Sequence, residues 1–273
     1  MDETTIQISG LSKSYAGKKV IDNISLTVSS GEVYGLLGAN GAGKSTTIEC
    51  ILGTRKADAG KIRILGLDPH KDRKPIFEQV GVQFQESNYP DKIRVKELCE
   101  ETACLYRQPA EYEPLLSRFG LAEKKNAFVT ELSGGQKQKL FIILALIADP
   151  KVVFLDELTT GLDTKARRNV WKSLLELKEQ GLTIFLSSHI MDEVEMLCDR
   201  ISILRDSRFV FTGTVQEAME QSCCEKFEDA YLWFTCYYAQ NRTKTFHSWD
   251  GYDYFRTLHA CGRGRDSGRH LWK

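Results

Sequence analysis

Eight consecutive residues, Gly38-Ala39-Asn40-Gly41-Ala42-Gly43-Lys44-Ser45, have the spacing GxxxxGK[ST] and lie between an apolar run, Val33 to Leu37, and a helical stretch from Lys44 to about Leu52. That order suits phosphate binding. Glycines let the backbone turn several N–H groups inward, and the N-terminus of the following helix adds positive potential. Lys44 then reaches the β- and γ-phosphates of a nucleotide, and the Ser45 hydroxyl can hold Mg²⁺. The expected ATP-binding stretch runs from Gly38 through Thr46.

A second apolar run, Val152 to Leu155, ends in Asp156 and Glu157. Paired acids at the C-terminal end of a buried strand lie where ligands bind in α/β sheets. Asp156 suits Mg²⁺, directly or through water, and Glu157, one residue further, can polarise the water that attacks a γ-phosphate.

Leu132-Ser133-Gly134-Gly135-Gln136 opens a helix expected to begin near Lys137, and Asp156 follows 20 residues after Gln136. LSGGQ at this distance before VVFLDE resembles the ATP-binding subunits of ABC transporters, and the resemblance extends from about residue 5 to residue 225. It implies further assignments. Tyr15 looks like the aromatic that stacks on adenine, Gln85 like a glutamine that touches Mg²⁺ and the membrane partner, Asp163 in Gly161-Leu162-Asp163 like the D-loop aspartate, and His189 in Ser187-Ser188-His189 like the switch histidine. Glu157, His189 and Lys44 are then the catalytic set, and Ser45, Gln85 and Asp156 the metal set. Residues 158–168 and 133–139 look most similar to the ATPases of ABC-2 type exporters. One residue departs from the pattern: Leu158 stands where the family usually has proline, which would stiffen the turn toward the D-loop.

The residues themselves support these roles. Gly134-Gly135 at a helix N-terminus is a second anion site, and with one phosphate loop per chain its nucleotide is held by another subunit. A head-to-tail homo- or heterodimer with two ATP molecules between its halves is the expected form. His189 follows the run Thr183 to Leu186, which brings it to the same sheet edge as Glu157.

The elements that must position these residues read as α/β. Thr5 to Ser9 and Val20 to Ser29, with Gly17 between them, suggest antiparallel strands. Apolar runs at Ile62 to Leu65, Val80 to Phe84, Val152 to Leu155 and Thr183 to Leu186, separated by helix-length segments, suggest a mostly parallel core sheet. Residues 91–130 read as a helical insertion, with Val95, Leu98, Cys99 and Thr102 to Leu105 at helical spacing. Arg200 to Leu204 and Phe209 to Thr212 read as a hairpin around Asp206-Ser207, and Val215 to about Glu225 as a closing helix. The expected fold is a P-loop ABC-type ATPase domain over residues 1–235 with an N-terminal antiparallel β-subdomain. Residues 236–273 form an atypical tail: eight are aromatic but only Leu258 and Leu271 are aliphatic. A poorly ordered segment fits them better than a zinc site, because His247, His259, Cys261 and His270 match no usual ligand spacing. A frame-shifted or truncated end would look the same.

Composition narrows the functional classes. The 273 residues are 42% hydrophobic and 27% charged, with 37 Lys/Arg against 37 Asp/Glu. The tail carries seven Lys/Arg and three Asp/Glu, a net of +4, which leaves residues 1–235 at −4, with no basic footprint for nucleic acid. The longest apolar run, Leu140 to Ala148, has nine residues, short of the roughly 20 that span a bilayer, so transport requires a separate transmembrane permease. Met1-Asp2-Glu3 is unlike a secretory signal, and the eight scattered cysteines read as reduced thiols. The expected location is cytoplasmic, peripheral on the inner face of the cell membrane. An alternative is a soluble ABC-type ATPase acting on ribosomes, DNA or cofactor assembly. The 87 positions between Ser45 and Leu132 leave no room for the long coiled coil of DNA-repair members. A binding module that does not hydrolyse would lack Glu157 or His189, and both are present.

Overall fold

The computed structural model describes residues 4–83, 92–159 and 161–237. Gln85 and the tail beyond residue 237 lie outside them. Two sheets organise the chain. Strands β1 (Thr4–Tyr15) and β2 (Lys18–Ser29) pair antiparallel through a turn at Ala16 and Gly17, both with positive φ. Strand β3 (Val33–Leu37) leads into helix α1 (Lys44–Ile51), and β4 (Ala59–Ile64) follows. β4 pairs antiparallel with β1, which makes a three-stranded sheet of order β2-β1-β4. The Ile62 to Leu65 run is therefore not part of the parallel core as its apolar character suggested. In β4 only Ile62 and Ile64 are buried while Lys61 and Arg63 face solvent, the alternation of a strand covered on one side.

The second sheet has six strands in the order β5-β6-β7-β3-β8-β9, where β5 is Val80–Gln83, β6 Val152–Asp156, β7 Thr183–Ser188, β8 Arg200–Arg205 and β9 Arg208–Gly213. The first five run parallel, and β9 returns antiparallel after the left-handed pair Asp206-Ser207. β3, β6 and β7 are buried at every position because both faces are covered. Val153 and Leu155 point into the cluster that includes Ile143 and Leu146, whereas Phe154 points the other way, toward Tyr34 and Ile48. On that face Phe154 and Phe185 lie 5.4 Å apart, and Phe185 stacks with Tyr34 at 5.7 Å.

Helices α2 (Arg73–Phe77), α3 (Val95–Ala103), α4 (Tyr112–Arg118), α5 (Gly134–Leu146), α6 (Thr164–Glu179), α7 (Met191–Leu197), α8 (Val215–Ser222) and α9 (Phe227–Leu232) complete the described chain, with 3-10 turns at Ala122–Lys124 and Val129–Glu131 and a π turn over Trp233–Tyr237. α3 and α4 form the helical insertion; α3 stops at Ala103, and Leu105 is 75% exposed rather than part of its buried face. α5 starts three residues before the expected Lys137, since Ser133 and Gln136 form a reciprocal capping box that lets the helix begin at Gly134. α8 stops at Ser222, short of Glu225, on the left-handed Cys223. The proposed boundary at residue 235 falls inside the π turn, whose Trp233 and Phe234 pack with Leu37, Phe211 and Phe227.

Candidate active site

Parallel pairing brings three strand ends to one edge: Leu37 is opposite Ser188, and Asp156 opposite Ser187. The phosphate loop, the paired acids and His189 each leave the sheet one or two residues later. Gly43 caps α1 at φ 108° without a side-chain cap bond, so no side chain competes for the helix's first N–H groups. Gly38 is required for a different reason: a Cβ there would stand 2.7 Å from the Leu204 carbonyl.

Lys44 is 5% exposed, and its Nζ donates to the Gly38 carbonyl at 2.8 Å and the Ala39 carbonyl at 3.3 Å. Burial pulls its pKa below the ordinary lysine value, opposed by the nearby charges of Glu157 and Asp156. Ser45 is exposed and Thr46 half-buried beside it. A cleft of about 430 Å³ runs along Ala39, Asn40, Gly41 and Ala42, with Lys18, Lys19, Arg205 and Asp206 as its charged lining. A folded-in ammonium beside open helix N–H groups is an anion cradle that fits the polyphosphate of ATP.

Asp156 is buried and accepts a hydrogen bond from the Ser187 hydroxyl, while Gln83 Nε2 donates to its carbonyl at 3.3 Å. Glu157 then turns the chain with φ 52°, a conformation that costs a non-glycine residue about 1 kcal/mol. The turn is held there: the Glu157 N–H donates to the Ser187 carbonyl and hydroxyl, each at 3.2 Å. The result aims the Glu157 carboxylate at His189, with Oε1 3.7 Å from Nδ1.

Leu132 to Gln136 behave as a helix cap. Ser133 Oγ accepts from the Gln136 N–H at 3.3 Å, Gln136 Oε1 accepts from the Ser133 N–H at 3.0 Å, and Ser133 and Gly134 face solvent. Leu132 is buried below them, and Gly135 packs toward Leu162. One turn on, Gln138 Nε2 donates to the Leu158 carbonyl at 2.8 Å, which ties α5 to the turn after Glu157. Asp163 caps α6, its Oδ1 accepting from the Ala166 N–H at 2.8 Å. Tyr15 stands apart from the acids, 38% exposed, with Lys13 Nζ and Arg55 Cζ at 5.3 and 5.5 Å from its ring centre. Gln85 is outside the described residues.

Sequence reasoning missed Ser187, Gln83 and Gln138. Ser187 was visible only as part of the run before His189; its link to Asp156 depends on the register of β6 against β7. Gln138 carries no local signal, because its partner is 20 residues away.

The family model described as ABC transporter matches residues 21–160. The Nod factor export ATP-binding protein I of Rhizobium johnstonii is 39% identical over 226 residues, covering 81% of this chain and 73% of that protein. The solved ATP-binding subunit of an ABC transporter superposes with a TM-score of 0.78 at 29% identity, over 85% of this chain and 99% of that one. The dimeric, ADP- and Pi-bound MJ0796 cassette shares the fold with a TM-score of 0.69 at 23% identity, over 77% of this chain and 98% of that one. A phosphate loop and paired acids on one sheet edge, in a chain this similar to such proteins, place it: it belongs to the ABC transporter family, as an ATP-binding, ATP-hydrolysing subunit that powers transport with a membrane permease.

Proposed function

We propose that this subunit drives export, with Glu157 as the general base and His189 as its partner at the γ-phosphate. The observation that carries this reading is the 3.7 Å approach of Glu157 Oε1 to His189 Nδ1 at the strand edge shared with the phosphate loop. In this reading Lys44 leaves the Gly38 and Ala39 carbonyls for the β- and γ-phosphates, and loop N–H groups from Gly38 to Thr46 hold the remaining oxygens. Glu157 takes a proton from the attacking water while the bond from γ-phosphorus to the bridging oxygen breaks and ADP leaves. His189 contacts the γ-phosphate, so that the edge responds to its presence. Ser45 and Asp156, with Gln85, are the residues suited to hold Mg²⁺, which would neutralise developing phosphate charge. Tyr15 supplies a ring for adenine.

Leu132 to Gln136 present the exposed Ser133 and Gly134 to a nucleotide held by a second subunit in a head-to-tail pair, and Asp163 lies along the same interface. The shared fold of the dimeric MJ0796 cassette supports such a pair. Export rather than import follows the name of the Rhizobium relative. Among the described residues no helix is long and apolar enough to cross a membrane. A peripheral position on the cytoplasmic face, against the permease, goes with the transporter reading. The helical insertion supplies the contact: Leu105 is exposed, and two residues further on Arg107 lines a cleft of about 630 Å³ with Lys74, Glu78 and Gln108. Residues 1–235 form the ATP-binding domain.

The test is Glu157→Gln. Loss of a positioned general base lowers rates by about 10²- to 10⁴-fold, so kcat should fall at least 100-fold while a fluorescent ATP analogue binds within threefold of the parent. Hydrolysis within threefold of the parent would remove Glu157 from this role.

A further inference from the structure

Glu193 lies four residues after His189, in the first turn of α7, and is 1% exposed. A carboxylate buried this deeply ordinarily has a cationic partner. Among the described residues Glu193 makes no ion pair, and its Oε2 has no hydrogen-bond partner. Its Oε1 instead accepts two hydrogen bonds from neutral donors, the Thr159 hydroxyl at 2.6 Å and the Trp171 indole N–H at 3.2 Å. Thr159 is completely buried, and Trp171, on α6, is 6% exposed.

A buried carboxyl group met only by neutral donors is a poor source of stability, since apolar groups of similar size often serve as well. It is a good distance setter. Thr159 is two residues beyond Glu157, on the turn leaving β6; Glu193 is on the helix that follows His189, leaving β7. One oxygen therefore joins the two arms that hold Glu157 and His189 3.7 Å apart. Trp171 fixes the rotamer of that carboxylate from a third element. The left-handed Glu157 needs such support, because a strained turn persists only where its surroundings over-determine it.

We propose that Glu193 is a positioning residue for hydrolysis, its Oε1 locking the Glu157 turn to the His189 arm through Thr159. The inference rests on the catalytic assignment of Glu157 and His189 made above. It acts on geometry during the chemical step, not on nucleotide binding. Misplacing a reacting group by about 1 Å can cost on the order of 100-fold.

The experiment compares the parent with Thr159→Val, Glu193→Leu, Glu193→Gln, the Thr159→Val/Glu193→Leu double variant and Glu157→Gln, measuring kcat and KM for MgATP and the thermal midpoint of each. Thr159→Val and Glu193→Leu should lower kcat at least tenfold with KM within twofold. The double variant should lose no more than the worse single one. Glu193→Gln keeps an oxygen acceptor and should stay within threefold of the parent. Parent-like kcat in folded Thr159→Val, multiplying losses in the double variant, or Glu193→Gln as slow as Glu193→Leu would each overturn the proposal. If Glu193→Leu does not fold, Thr159→Val and Glu193→Gln decide it. An active Glu157→Gln would instead overturn the catalytic assignment. An inactive Glu157→Gln beside active Thr159→Val and Glu193→Leu would overturn the positioning role alone.

Discussion

Gly81, in β5, faces the last turn of α5 so closely that a side chain has nowhere to go. A Cβ at that position would stand 2.1 Å from the Ala145 carbonyl oxygen, 2.9 Å from its carbon and 3.2 Å from Pro150 Cγ, where ordinary contact begins at 3.4 Å. Gly81→Ala therefore demands a retreat of about 1.3 Å by backbone, on one element or the other. A flexible side chain could swing aside, but a helical carbonyl cannot without moving its helix. Overpacking of this kind costs about 1–3 kcal/mol, and the backbone obstacle puts the expected value at the upper end. With a shift of about 2–4 °C per kcal/mol in a domain of this size, the thermal midpoint should fall by about 6–12 °C. Differential scanning calorimetry reads this directly, and kcat at 20 °C should fall too, since α5 begins at Gly134 and Gly135, proposed above to meet a second subunit's nucleotide. A midpoint within 1 °C of the parent would refute the close approach of α5 to β5 and the reasoning built on it.

Two further outcomes follow from groups packed inside the fold. Gln138→Leu removes the 2.8 Å donor to the Leu158 carbonyl and should cost about 1–3 kcal/mol in urea unfolding, and Gln138→Asn, too short to reach, about the same; no change in either would dissolve the proposed link between α5 and the Glu157 turn. Burial pushes the Cys50 thiol up to about 11 and the Cys99 thiol up to about 12 from an ordinary 9.0, so the unfolded chain releases these protons first and the folded state loses stability as pH rises above about 9 toward 11–12. Urea midpoints measured from pH 8 to 11 should fall, and Cys50→Ala/Cys99→Ala should flatten that fall; an unchanged slope would exclude these thiols as its source.

Much of the site was legible because its chemistry is local. Gly38 to Ser45 encode a turn, a helix start and a cation within eight residues, and β3 and α1 begin at the residues expected. Ser133 and Gln136 encode a cap the same way, although the helix begins earlier than the glycines suggested. The Asp206-Ser207 hairpin was equally local. β4 was not: its apolar residues resemble those of a core strand, and only pairing with β1, some 50 residues earlier, assigns it to the antiparallel sheet.

By itself the sequence determined the types of group available and the order in which strands, turns and helix starts present them, because hydrogen bonding within a turn and the periodicity of burial act over a few residues. Tertiary structure alone decided which groups meet. Ser187 reaches Asp156 only in the register that sets β6 beside β7, and Glu193 joins Thr159 only because α7 folds back over the turn after Glu157. Contacts across 31 and 34 residues depend on packing the whole sheet, where burying both faces removes the water that would otherwise satisfy these polar groups.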